Sequence, residues 1–393
     1  MSGALDGVRV IDLTSQVLGP MATQVLGDTG ADVIKIEAPG GDLMRKLGPC
    51  RTQDMGSYFL NINRNKRSVV LDLKREAGRS ALRRLIATAD VFVHNMRVAA
   101  IERLGFGYTD VAAINHQVIY AGATGFRPNT RHADRPAFDD LVQGLSGIAS
   151  LNQGPDGAPR YVPTVMADKI CGYVLASAIG MALYARAVTG KGQQLHVPMY
   201  DTMLAFILIE HLWGATLRAP QWGLGYSRML SPHRRPYRTK DGYICVIAAT
   251  DDQWRRLFAA IGRAELIDDE RFATLAARAQ HIDTVYAVLT EAMTERTTAE
   301  WVTLLDKADI PNGPVNTLAD ILADPYLQET RFFQAVEHHT EGAMTMMAVP
   351  VEYERTPASI RRLPPKLGEH TESVLRELGL TEAEISAATG AKP

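Results

Sequence analysis

Cysteine is scarce in this sequence: Cys50, Cys171 and Cys245 are the only three, far apart and without a CxxC pair. That excludes a disulfide framework and a cysteine-based zinc site, and all three are expected to be ordinary structural thiols. A surplus of one charge is also lacking. The 42 Lys and Arg against 44 Asp and Glu give a formal net charge of -2, without the broad cationic field that a nucleic-acid partner requires. The opening MSGALDGVRVIDL has no basic segment leading into an apolar one, so no signal peptide is expected. The longest uncharged run, 170–185, is short for a bilayer and rich in Gly, Ala and Ser; it reads as a packed internal helix. No HExxH or GxSxG motif occurs, and the ten histidines are scattered, so no metal site is expected. These absences point to a soluble cytoplasmic protein without a membrane partner.

What is present is the alternation of an α/β chain. Residues 8–13 form an apolar run of strand length, Pro20 suits a first helical turn, Gly30 ends that helix, and 32–37 reads as a second strand. Such a unit predicts parallel pairing with a right-handed crossover. A helix over 75–89 precedes strands at 91–94 and 118–121. Asp168 opens a long helix to about 188, ended by Gly190, and a strand follows at 193–197. The expected fold is a doubly wound parallel sheet filling a large domain, 1–220. A smaller α+β domain covers 221–330, with a strand at 243–248 and helices near 251–262, 274–295 and 298–307. The segment 331–393 is expected to pack back on the large domain.

The first turn after a strand, TSQVLGP at 14–20, holds one glycine. A dinucleotide fingerprint needs several so that backbone can approach a pyrophosphate. NAD is therefore disfavoured, and Glu37 is read as a surface or packing residue. Basic residues recur at Lys66, Arg67, Lys74, Arg97 and Arg103. They fit solvated surface charge, and equally a phosphate-bearing ligand at strand ends. Asp168 fits a helix N-cap and also a carboxylate nucleophile favoured by the helix N-terminus; the residues alone favour the cap. His338-His339 reads as an exposed loop.

Read in order, LDGVRVIDLT (5–14), LGDTGADVIKIEAPGGD (26–42), NRNKRSVVLDLK (63–74), ADVFVHNMR (89–97), FDDLVQGLSG (138–147), ADK around Asp168, TGKGQQLHVPMYD (189–201) and LGEHTESVLRELG (367–379) resemble the class III CoA-transferases. This is the family of formyl-CoA:oxalate and crotonobetainyl-CoA:carnitine CoA-transferases, and the likeness spans nearly the whole chain. It implies a Rossmann-like large domain, a small domain and an interlocked homodimer. It also implies that Asp168 is the catalytic residue and that coenzyme A or acyl-CoA is a substrate, with no tightly bound cofactor. A carboxylate of ordinary pKa would be ionised at neutral pH without an activating base. The CoA-contact positions carried over are Val17, Leu18, Leu71, Lys74, Asn95, Met96, Arg97 and Arg103, with Leu71 as an apolar wall for adenine.

The departures concern the acid. Val17 stands where formyl-CoA transferase has Gln, Ala38 where it has Arg and Met96 where it has Phe, and its glycine-rich substrate loop has no counterpart. Oxalate and formate are thus disfavoured. Arg234, Arg235 and Arg238 in the basic stretch 221–240 fit a solvated basic loop, and equally a pocket pairing a dicarboxylate, for which a dicarboxyl-CoA donor such as succinyl-CoA is the expectation. Two alternatives stand beside the transferase. An α-methylacyl-CoA racemase of the same family would need a His where Phe138 stands, since a proton shuttle uses two groups that exchange acid and base roles. A CoA-binding protein without turnover is the other.

Overall fold

The computed structural model describes residues 3–154 and 156–390. Residues up to Ile207 and from Gln328 onward form one compact unit, and Leu208–Leu327 form a second. Position 220 therefore lies inside the second unit, and the C-terminal segment belongs to the first.

Six strands build the first unit: β1 (Arg9–Leu13), β2 (Asp32–Glu37), β3 (Lys66–Val70), β4 (Val91–His94), β5 (Ile119–Thr124) and β6 (Gln193–Pro198). All pair in parallel, in the order β3-β2-β1-β4-β5-β6. The order reverses between β1 and β4. In open parallel sheets, ligands bind beyond the carboxyl ends of the strands at such a point.

Both faces of the central strands are buried, which is why β1, β2, β4 and β5 read as largely apolar runs. Val10, Val33, Val91 and Val93 lie in one core with the helices Leu18–Asp28 and Met166–Thr189. Ile11, Ile34, Ile36 and Phe92 lie in the other with the helix Glu76–Ala87 and two C-terminal helices, Thr371–Glu377 and Glu382–Thr389. The long helix lies close against Leu18–Asp28 because Gly172 has no side chain. A Cβ there would sit 2.8 Å from the Leu18 carbonyl oxygen.

The second unit is α+β. Strands β7 (Tyr237–Arg238), β8 (Tyr243–Val246) and β9 (Asn312–Pro314) pair antiparallel. The helices Asp251–Ala260, Ile282–Ala292 and Thr298–Lys307 enclose Trp254, Phe258, Leu289 and Trp301.

Several expectations need correction. Lys66 and Arg67 are not solvated: they begin β3 and are buried. Lys66 is paired with Asp12, and Arg67 with Asp32 and Glu377. Glu37 is a packing residue, bound through both oxygens by Arg45 at 2.7 Å. His338 is no exposed loop. It ends β10 (Phe333–His338), which pairs with β11 (Gly342–Met347), and its ring nitrogen meets the Pro364 carbonyl oxygen at 2.9 Å. Of the cysteines, Cys171 is buried, whereas Cys50 and Cys245 are exposed.

Candidate active site

At the reversal point the chain leaves β1 through Thr14, Ser15 and Gln16, and side chains hold this loop almost atom by atom. Asp12 accepts from the Thr14 N–H at 2.8 Å and the Thr14 hydroxyl at 2.5 Å. The Lys35 ammonium donates to the Thr14 carbonyl at 2.8 Å and to Asp42 at 2.9 Å. Asn95, just past β4, accepts from the Ser15 N–H at 3.0 Å and donates to the Ser15 carbonyl at 2.8 Å. Asp42 accepts from the Gln16 N–H at 3.1 Å. Gln16 has φ 66°, the left-handed region that a residue with a side chain rarely adopts unless its surroundings impose it.

Behind the loop lie buried charges. Asp12, on β1, stands opposite Lys35 on β2 and meets Lys66 at 3.3 Å. Burial lowers Lys66 to about 8, against the pull of Asp12. Such charges are tolerable in the interior only because each has an opposite partner and further hydrogen bonds.

The other wall comes from the long helix. Val165 is its N-cap and Met166 its first residue, so Asp168 is the third residue rather than the cap. Its N–H donates to Asp139 at 3.0 Å. Asp139 is itself buried and accepts from Gln143 at 2.5 Å. Among the described residues the Asp168 carboxylate has no hydrogen-bond or ion-pair partner. Burial, then the neighbouring Asp139 and Asp140, push it up to about 7. The expectation of an ordinary, fully ionised carboxylate is thereby overturned. One helical turn on, burial pushes the Cys171 thiol up to about 12, which keeps it protonated and a poor nucleophile.

Between the two walls is a cavity of about 250 Å³ lined by Ser15, Gln16, Val17, Leu18, Asn95, Arg97, Thr124, Phe138 and Asp168, among others. Five of the nine positions carried over by resemblance thus meet in one place: Val17, Leu18, Asn95, Arg97 and Asp168. Among the described residues Arg97 is the one cation in the lining and Asp168 the one acid. The other four lie outside it. Leu71 is 1% exposed and packed in the core, so its side chain presents no open wall. Met96 packs against that same core. Lys74 and Arg103 are exposed. Sequence reasoning passed over Asp139, Lys35 and Asp42 as site residues. For the first, FDD was itself a signal. For Lys35 the signal was a lone lysine inside an apolar strand.

Among the described residues no group of three or more His, Cys, Asp or Glu is placed to hold a metal ion.

Fold and cavity together define the class: an α/β enzyme whose candidate site opens at the carboxyl ends of a parallel sheet. The chain belongs to CoA-transferase family III, whose model matches residues 5–371. It is 33% identical over 388 residues to a succinate–glutarate CoA-transferase of Agrobacterium fabrum, an alignment covering 96% of each chain. It is 37% identical over 326 residues to an acetyl-CoA:oxalate CoA-transferase of Acetobacter aceti, covering 81% of this chain and 82% of that one. The crystal structure of Rv3272 from Mycobacterium tuberculosis, orthorhombic form, superposes with a TM-score of 0.81 at 33% identity. That match covers 94% of this chain and 99% of the other. The protein is therefore a CoA-transferase, acting on CoA thioesters.

Proposed function

We propose that the chain moves CoA from an acyl-CoA thioester to a free carboxylic acid through the side chain of Asp168. An Asp168 oxygen attacks the thioester carbonyl and the C–S bond breaks, giving an aspartyl anhydride and CoA thiolate. The thiolate attacks the aspartyl carbonyl and releases the donor acid, leaving an aspartyl-CoA thioester. The acceptor carboxylate then attacks that thioester, and the same steps in reverse restore Asp168. One difficult exchange becomes several easier ones.

The observation that carries this reading is the Asp168 carboxylate itself, without a protein partner and facing the cavity. An acid held by an Arg would be a weaker nucleophile. Desolvation raises its basicity and its nucleophilicity together, and a secluded site protects an anhydride from water. Val17, Leu18, Asn95 and Arg97 are assigned to the CoA thioester, and Lys74, Met96 and Arg103 to the outer CoA contacts; Leu71, buried in the core, is not among them. The acid is proposed to be dicarboxylic, with succinyl-CoA as donor. The names of relatives that act on succinate and glutarate support this choice.

A homodimer is proposed as the working form, and the Rossmann-like first unit as the CoA-binding one. Tyr173, Met181, Tyr184 and Val188 leave large apolar side chains exposed along the long helix, as a surface that another chain covers would. The cytoplasm is proposed as its compartment.

The test is the mass of the intact protein after incubation with succinyl-CoA, followed by peptide mapping. A CoA or succinyl adduct on the peptide holding Asp168 is expected. Asp168→Ala should carry no adduct and lose transfer by on the order of a thousandfold or more; normal turnover in that variant would sink the mechanism. Exchange of an α-proton with deuterated buffer, without any adduct, would favour the racemase.

A further inference from the structure

The second unit has a cavity of its own, of about 220 Å³, whose lining includes Arg228, Arg234 and Arg235. No Asp or Glu lines it, and among the described residues none of the three guanidinium groups has a carboxylate partner. Other arginines of this unit are neutralised. Arg256, Arg263, Arg271 and Arg278 are each paired with an Asp or Glu. Arg228 is steered instead by phenols: its Nε donates to the Tyr286 hydroxyl at 2.9 Å, and Tyr226 also bonds it. That orients the guanidinium without neutralising it.

Arginines that line one cavity without an internal counter-ion make a receptor for an oxygen anion, because the planar fork matches a carboxylate or phosphate. The rest of the lining narrows the choice. Val246, Ala248, Trp254 and Leu289 supply an apolar wall, which suits methylene groups and gives nothing to a bare phosphate. The volume is below that of ordinary drug-sized pockets, so the ligand is small.

We propose that this cavity binds a short aliphatic dicarboxylate, its carboxylates on Arg228, Arg234 and Arg235 and its methylenes against Val246, Trp254 and Leu289. Arg238, a neighbour in sequence, is not among the lining residues. The use of the site by the enzyme rests on the transferase reading, since a transferase handles a free acid. The binding itself needs nothing from Asp168.

Cys245 reports on the site, for it lines the cavity and is exposed. The experiment alkylates the full-length protein with iodoacetamide at constant ionic strength and follows each cysteine peptide by mass. Cys50, exposed in the first unit, serves as the internal control. Succinate is expected to slow modification of Cys245 at least tenfold at saturation while leaving Cys50 unchanged. Arg228→Gln and the exposed variant Arg235→Gln should each raise the half-protecting succinate concentration about tenfold, the loss of one charge-assisted hydrogen bond. Asp168→Asn should leave protection intact, so loss of transfer and loss of binding are read separately. Equal protection by inorganic phosphate, or none by succinate, would overturn the proposal.

Discussion

The backbone N–H of Asp168 points at the Asp139 carboxylate, 3.0 Å away, so the acid that raises the neighbouring side chain's pKa also fixes where that side chain begins. Asp139 thus helps to set both the position of Asp168 and, after burial, its charge state. Asp139→Asn retains an oxygen that can accept the bond and removes the charge.

The rate of adduct formation in the wild type should rise with pH through about 7, where the Asp168 carboxyl loses its proton. In Asp139→Asn the midpoint should move to lower pH yet stay above that of an ordinary carboxyl, because burial, the larger cause, remains. A single-turnover pH profile of both proteins is the check, and an unmoved midpoint would remove Asp139 from the account.

Stability should change in the opposite sense. The Asp168 carboxyl has a value of about 7 in the fold against 3.8 ordinarily, so the folded chain holds this proton more tightly than the unfolded one. Its contribution is fully present below about 3.8, declines above that and is lost as pH rises through 7. Asp168→Asn should therefore be more stable than wild type at pH 8, by up to about 4 kcal/mol at 1.36 kcal/mol per pH unit. The difference should fade towards pH 4. Urea melts at the two pH values decide it.

Asn95 makes both its hydrogen bonds to Ser15, so its role in the structure is to hold the loop that walls the cavity. Asn95→Ala should cost about 1–2 kcal/mol of stability and lower kcat more than it raises KM. A change confined to KM would mark Asn95 as a ligand contact only.

Lys66 should behave as a structural residue. Lys66→Met leaves Asp12 buried with one cation fewer, and breaking such a pair costs about 3–5 kcal/mol. Denaturant unfolding should register that loss. A variant of unchanged stability and weakened CoA binding would restore the reading of Lys66 as a phosphate ligand.

The strands were legible where apolar runs were unbroken: the expected 32–37 and 91–94 coincide with β2 and β4. β3 was not, because it begins Lys66-Arg67, and two cations in a row read as surface until Asp12, Asp32 and Glu377 are seen to face them. Those partners lie tens to hundreds of residues away, beyond any local pattern. The β10–β11 hairpin was hidden in the same way, behind a pair of histidines of which one is buried. The family resemblance points to Asp168, whereas its raised pKa depends first on burial and then on neighbours 28 and 29 residues upstream. The helix expected over 274–295 is interrupted at His281, between Leu275–Gln280 and Ile282–Ala292.

The helix Met166–Thr189 has one side in the core through Cys171, Leu175 and Ile179, Asp168 at its start and a row of bare apolar side chains along its outer side. On the function and dimer proposed above, catalysis and assembly share this one helix. Whatever settles on Tyr173, Met181 and Tyr184 presses on the strut that carries Asp168, through a contact with Leu18–Asp28 that leaves no slack at Gly172. The proposed dimer would then make the enzyme sensitive to its own concentration: specific activity should fall on dilution as the outer side is uncovered, with no change at any residue that touches substrate.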